Sequence, residues 1–337
     1  MPEENIIEEK EKKSIWNILL TVVIIITAAL LALCIYLFMN RSKELDLSNE
    51  YTLTGISEQN YTYGNPFAKD LVVSDPSITI EDVMMSSTTE KALLFNIDTK
   101  EALFAQAVYD KTFPASITKL MTAILAVKYS NMTDTVIMEE SDFDLEEGSQ
   151  VSGLMPGDVV TMEQLFYSLV VYSANDAANA IARHIDGSVG LFVERMNLEA
   201  EKLGMVNTHF DNPHGLHSST HYTCAYDIYL MMNEAIKYQA IKDAMRLNIY
   251  HLIVPRGEYD IMYDLNSTDR YMTGETSLPL GVTILAGKTG TTDEAGSCLT
   301  LAVQNKKGVP FITVILNAKD KNALYEDMTK LLNQIND

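Results

Sequence analysis

The sequence is poor in cysteine, tryptophan and basic residues. Three Cys in 337 residues, at positions 34, 224 and 298, cannot build a disulfide framework. Those in the polar body are expected as small buried hydrophobes, and Cys224–Cys298 is the one pairing open there. Lys and Arg number 25 against 46 Asp and Glu, a formal net charge of −21. That deficit argues against nucleic acid, or an anionic membrane face, as the main partner. Internal repeats and low-complexity segments are absent. So is His-Glu-x-x-His. His209, His214, His217 and His221 cluster, but the interspersed Pro213 and Gly215 mark a turn. Neither a metal nor a cofactor is expected.

Long apolar runs are also scarce, with one exception. Ile15–Met39 is 25 residues without a charge, and only Asn17, Thr21 and Thr27 are clearly polar. At about 1.5 Å per residue it exceeds the roughly 30 Å hydrocarbon core of a bilayer. Lys10, Lys12 and Lys13 precede it; Arg41 and Lys43 follow, leaning to a cytoplasmic N-terminus. A cleaved signal peptide would have a shorter apolar region ending in small residues. This one ends in Tyr36-Leu37-Phe38-Met39, and Leu33 is too large for a lipoprotein box at Cys34. The expected organisation is a cytoplasmic tail (1–14), a single-pass membrane anchor (15–39), a polar tether (40–75) and an extracytoplasmic globular body (76–337).

Within the body, 92–97 and 102–108 are strand-like and separated by Asp98-Thr99-Lys100-Glu101, which predicts a hairpin. Pro114 opens a helical stretch with Leu120, Met121, Ile124, Leu125 and Val127. Residues from about 128 to 235 look mainly helical. One helix should run from Met162 to about Tyr172, with Thr161 and Gln164 as a capping box, and another from Ser188 to Leu203, stopped by Gly204. Residues 283–286, 299–303 and 311–316 read as strands. A last helix carries Leu324, Tyr325, Met328, Leu331, Leu332 and Ile335 on the face expected to pack on them. Strands early and late with helices between give an α+β fold: an antiparallel sheet flanked by helices, plus an all-helical lobe.

Three short motifs occur in order: Ser116-Ile117-Thr118-Lys119, Ser173-Ala174-Asn175 and Lys288-Thr289-Gly290. Alone, Ser116 is a helix-cap residue, Lys119 a surface lysine and Lys-Thr-Gly a turn. Together they suggest chemistry. Ser and Lys three apart on a helix share a face, with Cβ atoms about 5–6 Å apart. A serine hydroxyl needs a base to take its proton, and lysine serves only when neutral. Ile117, Leu120, Met121 and Ile124 can bury Lys119, and Lys288 can be a second cation; both depress a lysine pKa. Ser173 can relay a proton to a leaving amine, and the Asn175 amide can hold a substrate amide. Lys-Thr-Gly follows a strand, and Gly287 and Gly290 permit an extended peptide to add along an edge. Backbone N–H groups of Ser116 and of that strand would form an oxyanion hole.

The ordered trio is the signature of penicillin-binding proteins and class A β-lactamases. Gly148-Ser149, Pro156-Gly157-Asp158, Ser173–Ala178, Met196-Asn197, Leu203-Gly204-Met205, Thr208-His209-Phe210, Asn212–Leu216, His221 and Ala225-Tyr226-Asp227 extend the likeness over about residues 85–318. The chain thus resembles the low-molecular-mass penicillin-binding proteins, the serine-type D-alanyl-D-alanine carboxypeptidases. The resemblance implies Ser116 as the acylated nucleophile, Lys119 as general base, and Ser173 and Asn175 on the helical side of the cleft. It implies Lys288, Thr289 and Gly290 on the sheet side and Thr291 as the second oxyanion donor. Peptidoglycan stem peptides would be the substrate and β-lactam antibiotics the inhibitors, with no cofactor.

The sequence departs from the family in three places. Many relatives carry a second β-domain and a C-terminal amphipathic anchor, where this chain is expected to use its N-terminal helix. Relatives often carry Asn-x-Asn before Lys-Thr-Gly, in some with an Arg that helps bind the substrate carboxylate. Here Asn266-Ser267-Thr268-Asp269-Arg270 stands there, so Lys288 is the first candidate for that role and Arg270 the second. Val254–Asp264 does not fit the family pattern. A β-lactamase would place a deacylating Glu in a loop after the second motif, where Glu201-Lys202-Leu203-Gly204-Met205 looks carboxypeptidase-like instead. A non-catalytic sensor on this fold should have lost a motif residue, and none is lost.

Overall fold

The three inner strands of the main sheet are largely apolar on both faces, because both faces are covered. The computed structural model describes Thr27 and residues 77–336 except Asp82. Apart from Thr27, the expected anchor and tether lie outside the described residues, and among those described no helix is long and apolar enough to cross a membrane. Strands β1 (Lys91–Asn96) and β2 (Glu101–Gln106) form the expected hairpin. With β7 (Thr283–Thr292), β8 (Gly296–Gln304) and β9 (Pro310–Ala318) they make one antiparallel sheet in the order β2-β1-β9-β8-β7, while the short β3 (Thr135–Ile137) and β4 (Val159–Thr161) pair separately within the stretch expected to be mainly helical. The chain thus closes its sheet by laying β9, from the far end of the sequence, beside β1.

Side chains alternate across this sheet. Leu93, Phe95, Ala302, Ile312 and Val314 join the core of the helical lobe. Ala92, Leu94, Leu299, Leu301 and Ile315 face the last helix, α8 (Lys321–Asn333, after the short α7 of Arg270–Thr273), through Leu324, Tyr325, Met328, Leu331 and Leu332, and Ile335 in the turn just beyond it. The apolar stripe of that helix is therefore packed on strands, as its sequence predicts.

At the centre of the lobe runs α1 (Lys119–Tyr129), in which Leu120, Met121, Ala123, Ile124, Leu125 and Ala126 are all fully buried. A helix apolar on all sides belongs inside a core. Helix α2 (Met162–Tyr167) starts from the expected box: Gln164 N–H donates to Thr161 Oγ1 (3.2 Å) and Thr161 N–H to Gln164 Oε1 (2.8 Å). It continues as a π-helical segment, Ser168–Tyr172, rather than as plain α-helix. Helix α3 (Asn175–Asp186) and α4 (Val189–Leu203) follow, with Gly204 ending α4 at φ 79°. Helix α5 (Ala225–Ala235) packs beneath the sheet, and α6 (Gln239–Met245) follows it.

Two features differ from the sequence reading. Val254–Asp264 belongs to a hairpin, β5 (Ile249–Arg256) with β6 (Tyr259–Asn266), pinned to the lobe by Arg256 on Asp158 (2.8 and 2.5 Å) and by Tyr250 stacked on Tyr167. Lys-Thr-Gly lies inside β7 rather than after a strand, since β7 runs on to Thr292. Cys224 and Cys298 are both free and buried, so the open pairing is not made.

Candidate active site

The nucleophile turn is built by close backbone approach. Ala115–Thr118 is a single 3-10 turn running directly into α1, so Ser116 precedes the α-helix and Lys119 opens it. Ala115 has φ 47°, an uncommon value for a residue with a Cβ. Beneath it lies Gly215, where a Cβ would sit 1.9 Å from the Ala115 carbonyl oxygen. On the sheet side, a Cβ at Gly290 would fall 2.9 Å from both Ser116 N and Pro114 O. These two glycines let the Asn212–Leu216 loop and β7 close on the turn from opposite sides.

Lys119 is fully buried, and its Nζ lies 2.9 Å from Ser116 Oγ, 2.6 Å from Asn175 Oδ1 and 2.7 Å from the His214 carbonyl oxygen. Burial first, and then the Lys288 cation, hold its pKa well below the ordinary lysine value, while Asp176 pulls the other way. For the neutral form that this shift favours, hydrogen arithmetic gives the direction of each contact. A neutral amine has two hydrogens and one lone pair. The amide oxygen and the carbonyl accept only, so they take both hydrogens. The lone pair is left facing Ser116 Oγ, as a base for its proton.

The second motif lies at the break between two helical segments. The π-helical segment ends at Ser173, which has φ 68°, and α3 starts at Asn175. Asn175 N–H donates to the Gln150 carbonyl (2.8 Å), while the Gln150 amide donates to Tyr172 O. Asp176 is buried and accepts from Ser152 N–H and Ser152 Oγ, which seats this junction against the 150–152 segment.

Lys288 projects from β7, buried, with Nζ 2.9 Å from Ser173 Oγ and 3.1 Å from Thr289 O. Burial lowers its pKa to about 7, against a rise caused by Asp269. β7 is an edge strand, so its free margin borders the cleft. Ser116, Ser173, Thr289, Gly290 and Thr291 all line that cleft, joined by Gln150, Thr268 and Lys321.

The sequence-predicted residues thus converge, with one exception. Arg270 is not brought to the cleft. It hydrogen-bonds Asn322 Oδ1 (2.8 Å), lies 3.5 Å from Glu275 and stacks on Tyr325, whose ring stands between it and the cleft that Tyr325 also lines. The segment it belongs to does reach the site through Thr268, hydrogen-bonded to Thr289 Oγ1. Thr268, Gln150 and Lys321 carry no spacing signal in the sequence. The histidine cluster is structural: His221 Nδ1 accepts from Asp211 N–H, so Nε2–H faces Thr118 Oγ1 at 2.8 Å. Burial lowers the pKa of His221 to about 4 and that of His214 to about 3.

Comparison with known proteins agrees with this geometry. The family model described as D-alanyl-D-alanine carboxypeptidase matches residues 78–320. The chain belongs to that family. It is 32% identical over 253 residues to the D-alanyl-D-alanine carboxypeptidase DacF of Bacillus subtilis, a match covering 74% of this chain and 62% of that relative. To the D-alanyl-D-alanine carboxypeptidase of Streptomyces sp. strain K15 it is 28% identical, covering 71% and 84%. The crystal structure of the Streptomyces K15 DD-transpeptidase superposes with TM-score 0.69 at 25% identity, over 75% of this chain and 98% of the other. The chain thus spans under two thirds of the Bacillus relative and most of the Streptomyces one. The matched residues, 78–320, take in the sheet and the lobe that frame the Ser116 cleft.

Proposed function

We propose that this protein is a serine D-Ala-D-Ala carboxypeptidase that removes the terminal D-alanine from peptidoglycan stem peptides through an acyl-enzyme on Ser116. The observation that carries this reading is Lys119 Nζ, 2.9 Å from Ser116 Oγ with its other two neighbours able only to accept. Lys119 takes the Ser116 proton as Oγ attacks the carbonyl between the two D-Ala residues. The oxyanion is met by the N–H groups of Ser116 and Thr291. Ser173, poised by Lys288, passes the proton to the departing amine, and water then releases the acyl group. The substrate backbone pairs with the free edge of β7, and the Asn175 amide nitrogen meets its amide carbonyl. β-Lactams acylate the same serine.

The catalytic body is held outside the cell membrane by Ile15–Met39, with residues 40–75 as the spacer. This part of the reading rests on the length of the uncharged run and on its flanking charges.

Mass spectrometry of the full chain tests the chemistry. Penicillin should add its mass to Ser116, and a peptide ending in D-Ala-D-Ala should lose one D-Ala. Ser116→Ala should abolish both while unfolding at the wild-type temperature. Rapid penicillin turnover with no D-Ala release would make the protein a β-lactamase instead. For the anchor, the body should be digested by protease added outside intact cells. A mature N-terminus near residue 40 would show cleavage in place of anchoring.

A further inference from the structure

In the carboxypeptidase reading, the leaving amine meets Ser173, which Lys288 holds, and the oxyanion meets Thr291. Lys288 comes before Thr291 on β7, so a peptide on that edge runs with its C-terminus toward Lys288. The part that stays on Ser116 points the other way, past Thr292 and the turn into β8. Glu294, in that turn, is three residues from Thr291 and so at most about 10 Å away.

A second hollow lies at that end of the sheet. It is lined by Glu294, by Phe113, three residues before the nucleophile, and by Lys91, Lys111 and Tyr222. His217 braces the side nearest the cleft, edge-on to Phe113 with ring centroids 4.7 Å apart and 3.9 Å from Glu294.

The charge of this hollow is unlike that of the chain as a whole, which carries a net −21. Two lysines stand in it, and neither makes an ion pair among the described residues. Lys111 is exposed, with its Nζ 3.8 Å above the Tyr222 ring. Lys91 donates to Thr89 O (2.6 Å), a neutral acceptor. The one carboxylate lining the hollow, Glu294, has His217 beside it. The hydroxyls of Thr112 and Ser219 also line it and have no hydrogen-bond partner among the described residues, so they can donate. Two uncompensated cations and two free hydroxyls suit a carboxylate.

A stem peptide supplies one. Its glutamate is joined to the next residue through the side chain. Its main-chain carboxylate is therefore free, two residues upstream of the D-alanine that is acylated. Two residues and that linkage span about 10 Å, the reach from Thr291 to the hollow.

We propose that Lys91 and Lys111 bind this upstream carboxylate, so that the hollow beyond β7 selects stem peptides with a free glutamate over those in which it is amidated. The proposal rests on the carboxypeptidase reading. It gives the two lysines a binding role, and the proton transfers stay with Lys119 and Ser173.

The test uses the full chain and two pentapeptides ending in D-Ala-D-Ala, one with free glutamate and one with isoglutamine. The readout is the ratio of kcat/KM for the acid to that for the amide. In wild type it should be roughly 10, the size of two solvent-open charged contacts. Lys111→Met, at an exposed position, should lower it about threefold, and Lys91→Met with Lys111→Met should bring it to about one. Arginine at both positions should keep it. Lys306→Met with Lys307→Met, which removes two exposed charges from the β8–β9 turn, should also keep it. A wild-type ratio of one, a ratio untouched by the Lys91 and Lys111 substitutions, or an equal fall in the Lys306 and Lys307 variant would each overturn the proposal. Wild type that releases D-alanine from neither peptide would overturn the carboxypeptidase reading itself, a different result from any of these.

Discussion

Lys119 and Lys288 depend on each other. Two buried ammonium groups cannot both hold a full charge cheaply, so each favours the neutral form of the other. Lys288 is the one that keeps part of its charge, because Asp269 lies on its side of the site. Lys119, fully buried and beside that cation, is the one whose pKa is held well below the ordinary lysine value. Lys119→Ala should therefore slow acylation by penicillin by about 10²–10⁴, the worth of a lost general base. Lys288→Met tests the coupling. It removes a positive neighbour, so the Lys119 pKa rises and more of the base is protonated at a given pH. The rising limb of acylation rate against pH should shift to higher pH. A limb that stays in place, whatever the drop in rate, would show that burial alone tunes Lys119.

At the scale of elements, the site sits where regular structure breaks. Ala115 and Ser173 both hold positive φ without being glycine, at a cost of order 1–3 kcal/mol each, and both are fixed by neighbouring chain. Gly215→Ala would drive a methyl into the Ala115 carbonyl, in a backbone at φ 88° that disfavours a side chain. It should destabilise by about 2 kcal/mol or more and lower penicillin acylation of the folded fraction, read by thermal unfolding beside labelling stoichiometry. This also marks what the sequence could and could not disclose. The hairpin β1–β2, the capping box at Thr161, the stripe of α8 and the ordered motifs were legible, because each is written in local spacing. The π-helical turn before Ser173 was not, because Met162–Tyr172 has a plain helical pattern and the deviation comes from packing. Nor was the β5–β6 hairpin, whose exposed Ile253, Tyr259 and Met262 blur the two-residue alternation. Arg270 was placed near the site by its position in the chain. The fold brings Thr268 to the cleft and turns Arg270 away, two residues later.

For the molecule as a whole, the two ends of the body are fastened together by carboxyl groups. Ser86 donates from N (2.6 Å) and Oγ (2.9 Å) to Asp327 of α8, and Lys330 reaches both Asp327 (2.7 Å) and Met84 O (3.3 Å). Glu90, fully buried just before β1, is pushed up to about 8 by burial and by the Asp327 carboxyl beside it. The segment from Val83 to Glu90 thus enters the core against the last helix, on the face of the sheet away from the lobe. A carboxyl with a raised folded-state pKa holds a proton that the unfolded chain has released. Between about 4.5 and 8 the native state binds more protons at Glu90, and stability falls as pH rises. Asp327 adds no slope there, since its pKa is already low in both states. His214 and His221 slope the other way up to about 6.5, because the unfolded chain protonates them first. Lys288, lowered to about 7, adds a rising slope above that pH, so the wild-type profile mixes these contributions and the difference from Glu90→Gln isolates the first. Glutamine mimics the protonated acid at every pH. The Tm of Glu90→Gln minus that of wild type should grow steadily from pH 5 to pH 8. A difference that stays constant over that range would mean that Glu90 is ionised in the folded protein.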